Sequence, residues 1–300
     1  MKTHPLVGWL FVIPGLILIV VFLLYPTVRT IQLSFDTGAG FTTSKYIGTE
    51  NYINLFTKDR LFLDVRQFPP SGAVVNTLIW LVLYTPLVVG LGLVLAVLAN
   101  SVKYEVLFKT IIFIPMGISF TAAGIIWRFV YSPDPKVGVL NAVLTNLLRA
   151  EPIAWLGRTN LVNLAIIIAA AWTATGFSLV VYSAAIKGLS GEVLEAALVD
   201  GANNLQRFRF VVFPMLWPTT TVLLTTTVIG VLKAFDLVYI MTAGGPLGAS
   251  RIIGFSMYWE TFKTNRPGYG SAIAVVMLIV VLPFVIFNIR RFRTETTEGR

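Results

Sequence analysis

The sequence predicts an all-α integral membrane protein built on six transmembrane helices. Three observations carry that expectation. Hydrophobic residues make up 56% of the 300 and charged residues only 12%, and mean hydropathy is +0.80, well away from the balance of a soluble domain. The apolar residues fall into six blocks, each about 20 residues or more, long enough to cross roughly 30 Å of hydrocarbon as a helix. Lysines and arginines gather just beyond the ends of several blocks, where they orient spans in a bilayer.

The blocks cover about 8–31, 74–100, 107–131, 161–186, 211–241 and 271–289, so the chain divides into a terminus over 1–7, a transmembrane domain over 8–289 and a tail over 290–300. The first run, WLFVIPGLILIVVFLLYP, is longer than the apolar part of a signal peptide and no small-residue cleavage site follows it; it reads as an uncleaved span. The second carries Pro86, Gly90 and Gly92 and the third Pro115, Gly117 and Gly124, residues that permit kinks and close helix approach. The fourth ends at Lys187, the fifth contains Lys233 and Asp236, and the sixth runs into Arg290–Arg293. Lys103, Lys109, Lys187, Arg207 and Arg209 flank the two short loops on the side of that arginine run, which places this side and both termini in the cytoplasm. The opposite connections, about 32–73, 132–160 and 242–270, interleave acids such as Asp36, Asp59, Asp64 and Glu151.

Several functions are disfavoured at once. The chain has no cysteine, so no disulfide or thiolate metal site, and its one histidine, His4, lies at the terminus. The formal net charge of +9 comes without a basic patch interleaved with aromatics, so it marks membrane orientation and not nucleic-acid binding. No Gly-x-x-x-x-Gly-Lys-Ser/Thr phosphate loop occurs, so ATP is not hydrolysed here by that route. No paired acid and base, Gly-x-Ser-x-Gly elbow or metal cluster supports a membrane enzyme.

Between the fourth and fifth spans lies a polar island, 190–210. LSGEVLEAALVD reads as a short amphipathic helix: Ser190 can cap it, Glu192 sits in the favourable first turn, and Val193, Leu194, Ala197 and Leu198 share one side. Gly201 can take a left-handed conformation and end it, after which Asn203 or Asn204 caps a second helix. Ala196 and Ala197 leave a shallow surface that another protein's groove can approach closely, with Glu195 offering a charge. The alternative is a helix resting on lipid, to which the acidic face of Glu192, Glu195 and Asp200 is a poor match on an anionic leaflet.

Within the spans, Lys233 and Asp236 stand out, because each ion costs about 2.5–3.5 kcal/mol at a helix centre on insertion scales. Their spacing of three lets them pair on one helix face; the other reading is that they line a water-filled path where Asp236, with Tyr239, offers hydrogen bonds to sugar hydroxyls. Phe235, Trp80, Trp127 and Trp172 can present apolar faces to sugar rings or simply pack, and the Asn76 amide needs a partner within the second span.

Glu195-Ala-Ala, three residues, Gly201, nine residues and Val211-Val-Phe-Pro214 together resemble the EAA loop of ABC importer permeases, with Val and Phe where that pattern has Ile and Leu. The resemblance extends from about Trp9 to Arg290. It narrows to sugar-importer permeases of the maltose and glycerol-3-phosphate type through Val74-Val-Asn76-Thr77, FIPMGIS at 113–119, Val137-Gly-Val-Leu-Asn141, WTATGFSLVVYSAAIKGL at 172–189, KAFDLVYIMTAGGP at 233–246 and GYGSA at 268–272. It implies a type I permease fold in a prokaryotic cytoplasmic membrane, with 190–210 as the coupling loop: Glu195, Ala196, Ala197, Asp200 and Gly201 would meet an ATPase subunit. It further implies a heterodimer with a second homologous permease, two ATPase subunits that bind the ATP and magnesium, an extracytoplasmic solute-binding protein and a sugar, an α-glucoside such as maltose or trehalose. Two rivals stay open: an importer of glycerol-3-phosphate or a phosphodiester, which would favour Lys233 or Arg128 along the path, and an ion-driven secondary transporter with Asp236 as its coupling site.

Overall fold

The computed structural model describes residues 5–38 and 45–298; His4 lies outside them. Among the described residues, four helices are long and apolar enough to cross a membrane: α1 (Trp9–Leu33), α3 (Ala73–Ala99), α7 (Val162–Lys187) and the Pro267–Phe287 stretch of α13 (Pro267–Glu298). Two bent pairs bring the number to six where each pair counts as one span: Glu105–Gly117 with α5 (Phe120–Val130), bent by 102°, and α9 (Asn204–Met215) with α10 (Trp217–Leu232), bent by 64°. The first leg of the former pair is α4 (Glu105–Phe113) plus a 3-10 turn, Ile114–Gly117. Shorter helices complete the chain: α2 (Glu50–Thr57) and α6 (Val139–Asn146) in the connections, α8 (Gly191–Val199) in the polar island, α11 (Asp236–Thr242) and α12 (Ile253–Tyr258).

The expected third span, 107–131, is therefore not one rod. Pro115 lies in the 3-10 turn, Ile118 is extended, and Ser119 restarts the chain as an N-cap whose side chain accepts from the Ala122 amide at 3.2 Å. At 1.5 Å per residue its legs reach only about 20 and 16 Å, short of the roughly 30 Å hydrocarbon core. The expected fifth span, 211–241, is also segmented: it starts within α9, crosses as α10, breaks at 233–235 and finishes as α11. The last helix runs beyond the expected end at 289 through the tail to Glu298, because no helix breaker follows Pro283 until Gly299.

In lipid, helices associate by packing more than by the hydrophobic effect, so close approach matters. The α3–α7 contact is the most extensive in the bundle, and Gly92 makes it possible: a Cβ there would lie 2.4 Å from Ser178 Cβ. Three buried clusters stack along this pair. One at the N-terminal end of α3 joins Leu55, Phe62, Ala73 and Ile273; a central one joins Trp80, Ile166, Val231, Val238 and Phe255; one toward the C-terminal end of α3 joins Val89, Tyr182, Leu216 and Leu223. By contrast α1 buries none of its apolar window and meets the bundle through its C-terminal half, against α13.

Candidate functional site

Two polar features sit on this frame. The first is the island between α7 and α9. Helix α8 ends at Asp200, and Gly201 follows at φ +81°, a conformation open to glycine and strained for side chains with a Cβ. The Ala202 amide donates to the Ala197 carbonyl and the Gly201 amide to the Leu198 carbonyl, both at 3.0 Å, the bond pair of a Schellman C-cap. Asn203 then starts α9 with a reciprocal capping box: its side chain accepts from the Gln206 amide, and its own amide donates to the Gln206 side chain, each at 2.9 Å. Ser190 takes the N-cap position of α8, but its side chain makes no capping bond.

Glu192, Glu195, Ala196 and Asp200 are exposed and Ala197 is half-buried, and none of the three acids forms a salt bridge among the described residues. Leu198 and Val199 are exposed as well, so the helix presents acids, small residues and aliphatic side chains outward together. Its base is anchored. Lys187, at the end of α7, pairs with Glu105 of α4 at 2.6 Å. Lys109 pairs with the same carboxylate, donates to the Ser183 hydroxyl and reaches Asn100 Oδ1 at 2.9 Å. The ends of α3, α4 and α7 thus meet in one polar clamp whose last residue, Lys187, lies four positions before Gly191, where α8 begins.

The second feature is the break at 233–235. Lys233 closes α10 as its C-cap, and Phe235, at φ −149° and ψ −54°, precedes α11, whose first residue is Asp236. The pairing of Lys233 and Asp236 on one helix face is corrected by this break: the helix does not continue between them, and no ion pair joins them among the described residues. Both side chains are exposed, and the Asp236 carboxylate in the first turn of α11 gains from the helix dipole. Irregular backbone at membrane depth is tolerated where it lines protein or a water-filled cavity. Here it lines a cavity of about 250 Å³ bounded by Trp80, Tyr84, Phe120, Lys233, Phe235 and Asp236.

Four of the candidate path residues, Trp80, Lys233, Phe235 and Asp236, therefore come together. Tyr239 stands behind Phe235, stacked at 5.2 Å between ring centroids and also against Tyr258 at 5.5 Å. Asn76 is occupied by architecture: its amide donates to the Arg251 carbonyl at 2.8 Å, and its oxygen accepts from Asn163 at 2.9 Å. Asn163 also donates to the Ala249 carbonyl at 2.7 Å, so the network ties α3 and α7 to the segment between α11 and α12. Trp127 and Trp172 meet edge-to-face at 5.9 Å in a separate cluster with Tyr131 and Trp155, and neither lines this cavity. Sequence reasoning missed Tyr84 and Phe120. Tyr84 lies one turn from Trp80 with ring centroids 5.7 Å apart, so the i, i+4 aromatic spacing on α3 was the available signal.

Comparison with known proteins places these features in a context. Residues 66–292 match the family described as binding-protein-dependent transport system inner membrane components. An osmoprotective-compound uptake permease of Synechocystis sp. is 41% identical, over 95% of this chain and 99% of its own length. An α-glucoside transport permease of Rhizobium meliloti is 35% identical over 96% of this chain and 83% of its own. In fold, the chain is similar to a subunit of a bacterial ABC transporter that imports the acidic polysaccharide alginate, with TM-score 0.78 and 23% identity, covering 96% of this chain and 95% of that one.

Proposed function

The chain belongs to the family of binding-protein-dependent transport system inner membrane components, and on that premise we propose that it forms half of the translocation pathway of an ATP-driven sugar importer, taking an α-glucoside such as trehalose or maltose. A second, homologous permease completes the pathway, two ATPase subunits supply energy, and an extracytoplasmic binding protein delivers the sugar. The prokaryotic cytoplasmic membrane holds the assembly, both termini facing the cytoplasm.

The observation that carries this reading is the pairing, in one chain, of an exposed helix with an anchored base and a broken helix that turns polar groups into a cavity. Closure of the ATPase pair on ATP pushes on α8, with Glu195, Ala196, Ala197, Asp200 and Gly201 at the contact. The Schellman turn and capping box keep α8 and α9 in fixed relation, and the clamp of Lys187, Glu105, Lys109, Ser183 and Asn100 passes the push to α3, α4 and α7. Helices α3 and α7 line the cavity, so a shift of their inner ends changes which side it opens to. There Asp236 accepts hydrogen bonds from sugar hydroxyls, Lys233 donates, and the faces of Trp80 and Phe235 receive the apolar side of a ring. The named solute of one permease relative, α-glucosides, supports a polyhydroxylated cargo.

The test is reconstitution of the chain with its partner permease, ATPase and binding protein in liposomes. ATP-dependent accumulation of labelled trehalose or maltose supports the reading. Accumulation of glycerol-3-phosphate in their place, or uptake driven by an ion gradient without ATP, refutes it.

A further inference from the structure

A second, larger cavity of about 590 Å³ adjoins the first. The two share Tyr84, Phe120 and Gly230 as a neck. The larger one is displaced toward the coupling helix along every element that forms it: Val88 beyond Trp80 on α3, Thr173 and Ser178 beyond Ala170 on α7, and Thr226 and Thr227 before Gly230 on α10. Binding pockets for small organic ligands run to about 300–1,000 Å³, so the outer cavity falls below that range and the inner one within it.

The inner cavity's chemistry is specific. Among the described residues no carboxylate, lysine, arginine or histidine lines it; its side-chain polar groups are the hydroxyls of Tyr84, Ser119, Thr173, Ser178, Thr226 and Thr227. Three have already committed their protons to their own helices: Thr173 donates to the Ala170 carbonyl at 2.7 Å, Thr226 to the Val222 carbonyl at 3.0 Å and Thr227 to the Leu223 carbonyl at 2.6 Å. A hydroxyl has one proton and two lone pairs, so these three face the cavity as acceptors. Ser119 differs, since its oxygen accepts from the Ala122 amide and its proton is left to donate; the Tyr84 and Ser178 hydroxyls, also on this wall, can donate as well. A neutral sugar or polyol, whose hydroxyls donate, satisfies such a wall. A carboxylate or phosphate dianion, which only accepts, finds hydroxyl protons here but no counter-charge among the lining side chains, and it leaves the three threonine lone pairs unused.

We propose that this cavity is a second, inward station on the pathway that holds neutral polyhydroxylated solutes and excludes anions, with Thr173, Thr226 and Thr227 as acceptors. The proposal rests on the importer reading and deepens it, because it decides between a sugar and a phosphate ester where Lys233 and Asp236 at the outer cavity do not.

The test uses the complete transporter in lipid nanodiscs without nucleotide, so that the station is reached from the cytoplasmic side. Equilibrium binding of labelled trehalose, maltose, lactose and glycerol-3-phosphate is measured beside ATP-driven uptake of each in liposomes. The expected result is binding of at least one neutral sugar and none of glycerol-3-phosphate, with Thr226→Val plus Thr227→Val weakening the sugar about 2- to 10-fold per hydroxyl lost. Serine at both positions restores it, which a purely structural role of the methyl groups would not allow. Unchanged sugar binding in the double valine variant while wild-type uptake is normal overturns the inner station alone. Binding of glycerol-3-phosphate as tight as that of the sugars overturns its selectivity. Failure of wild type to take up any of the three sugars overturns the sugar reading and the station with it.

Discussion

Replacing Gly201 by valine tests whether the turn after α8 transmits force. The residue sits at φ +81°, yet an added Cβ would find no atom within 4 Å, so a valine suffers from its own backbone and not from a neighbour. Holding a residue with a Cβ in the left-handed region costs about 1–2 kcal/mol, more for a β-branched one. If the chain instead relaxes to negative φ, it gives up the two Schellman bonds, at about 0.5–1.5 kcal/mol each. By either route the native turn loses about 1–3 kcal/mol, a factor of roughly 5–150 in its population against alternative turns. The assay is sugar uptake per ATP hydrolysed in reconstituted transporter, with co-purification of the ATPase recorded in parallel. Gly201→Val is expected to insert normally and to lose most coupled uptake. Gly201→Asn, which tolerates the left-handed region, is expected to keep most of it. Full coupling in the valine variant, or equal damage from asparagine, would refute the conformational argument.

Other substitutions separate roles that lie close together. Gly92→Val is expected to lower the melting temperature of the purified complex, since overpacking against Ser178 costs about 1–3 kcal/mol, whereas Gly90→Ala, with nothing within 4 Å of its Cβ, leaves it unchanged. Asn76→Ala strands the Arg251 carbonyl and an Asn163 donor; about 1–3 kcal/mol per unsatisfied group appears as lost thermal stability, with the preference among sugars retained. Asp236→Ala is expected to reduce uptake with normal insertion and normal ATPase binding, and Asp236→Asn to recover part of it. Glu105→Gln leaves Lys109 and Lys187 without their shared carboxylate; ATP hydrolysis is expected to continue while uptake per ATP falls.

What the sequence makes legible follows from how local each cause is. The spans could be counted because a stretch of 20 apolar residues has few other fates. The turn at Gly201 and the cap at Asn203 could be placed because both depend on residues within six positions of each other. The breaks at 117–119 and 233–235 were legible only in part: Pro115 and Gly117 permit a kink and Lys233 and Asp236 interrupt the hydropathy, but neither signal says that the helix stops, and the spacing of Lys233 and Asp236 suggests a helical pair only if the helix continues. The partner that the Asn76 amide needed was illegible for a related reason, because its carbonyl lies 175 positions along the chain and nothing near Asn76 announces it. The threonine acceptors were within reach of a local rule, since a hydroxyl in a helix bonds the carbonyl one turn back, but which threonines face a cavity depends on how three helices pack.

The central claim is a division of labour in which α8 meets the ATPase while the break at 233–235 lines the solute path, and one measurement tests it most directly. The chain contains no cysteine, so Ala197→Cys supplies a single thiol on this subunit, and Leu247→Cys, at a position 93% exposed in the connection between α11 and α12, supplies a control. In the assembled transporter, a short thiol-to-amine cross-linker is predicted to join the Ala197→Cys subunit to the ATPase and to leave the Leu247→Cys subunit unlinked to it. A cross-link to the ATPase from Leu247→Cys and none from Ala197→Cys would contradict both the coupling role of α8 and the orientation of the chain.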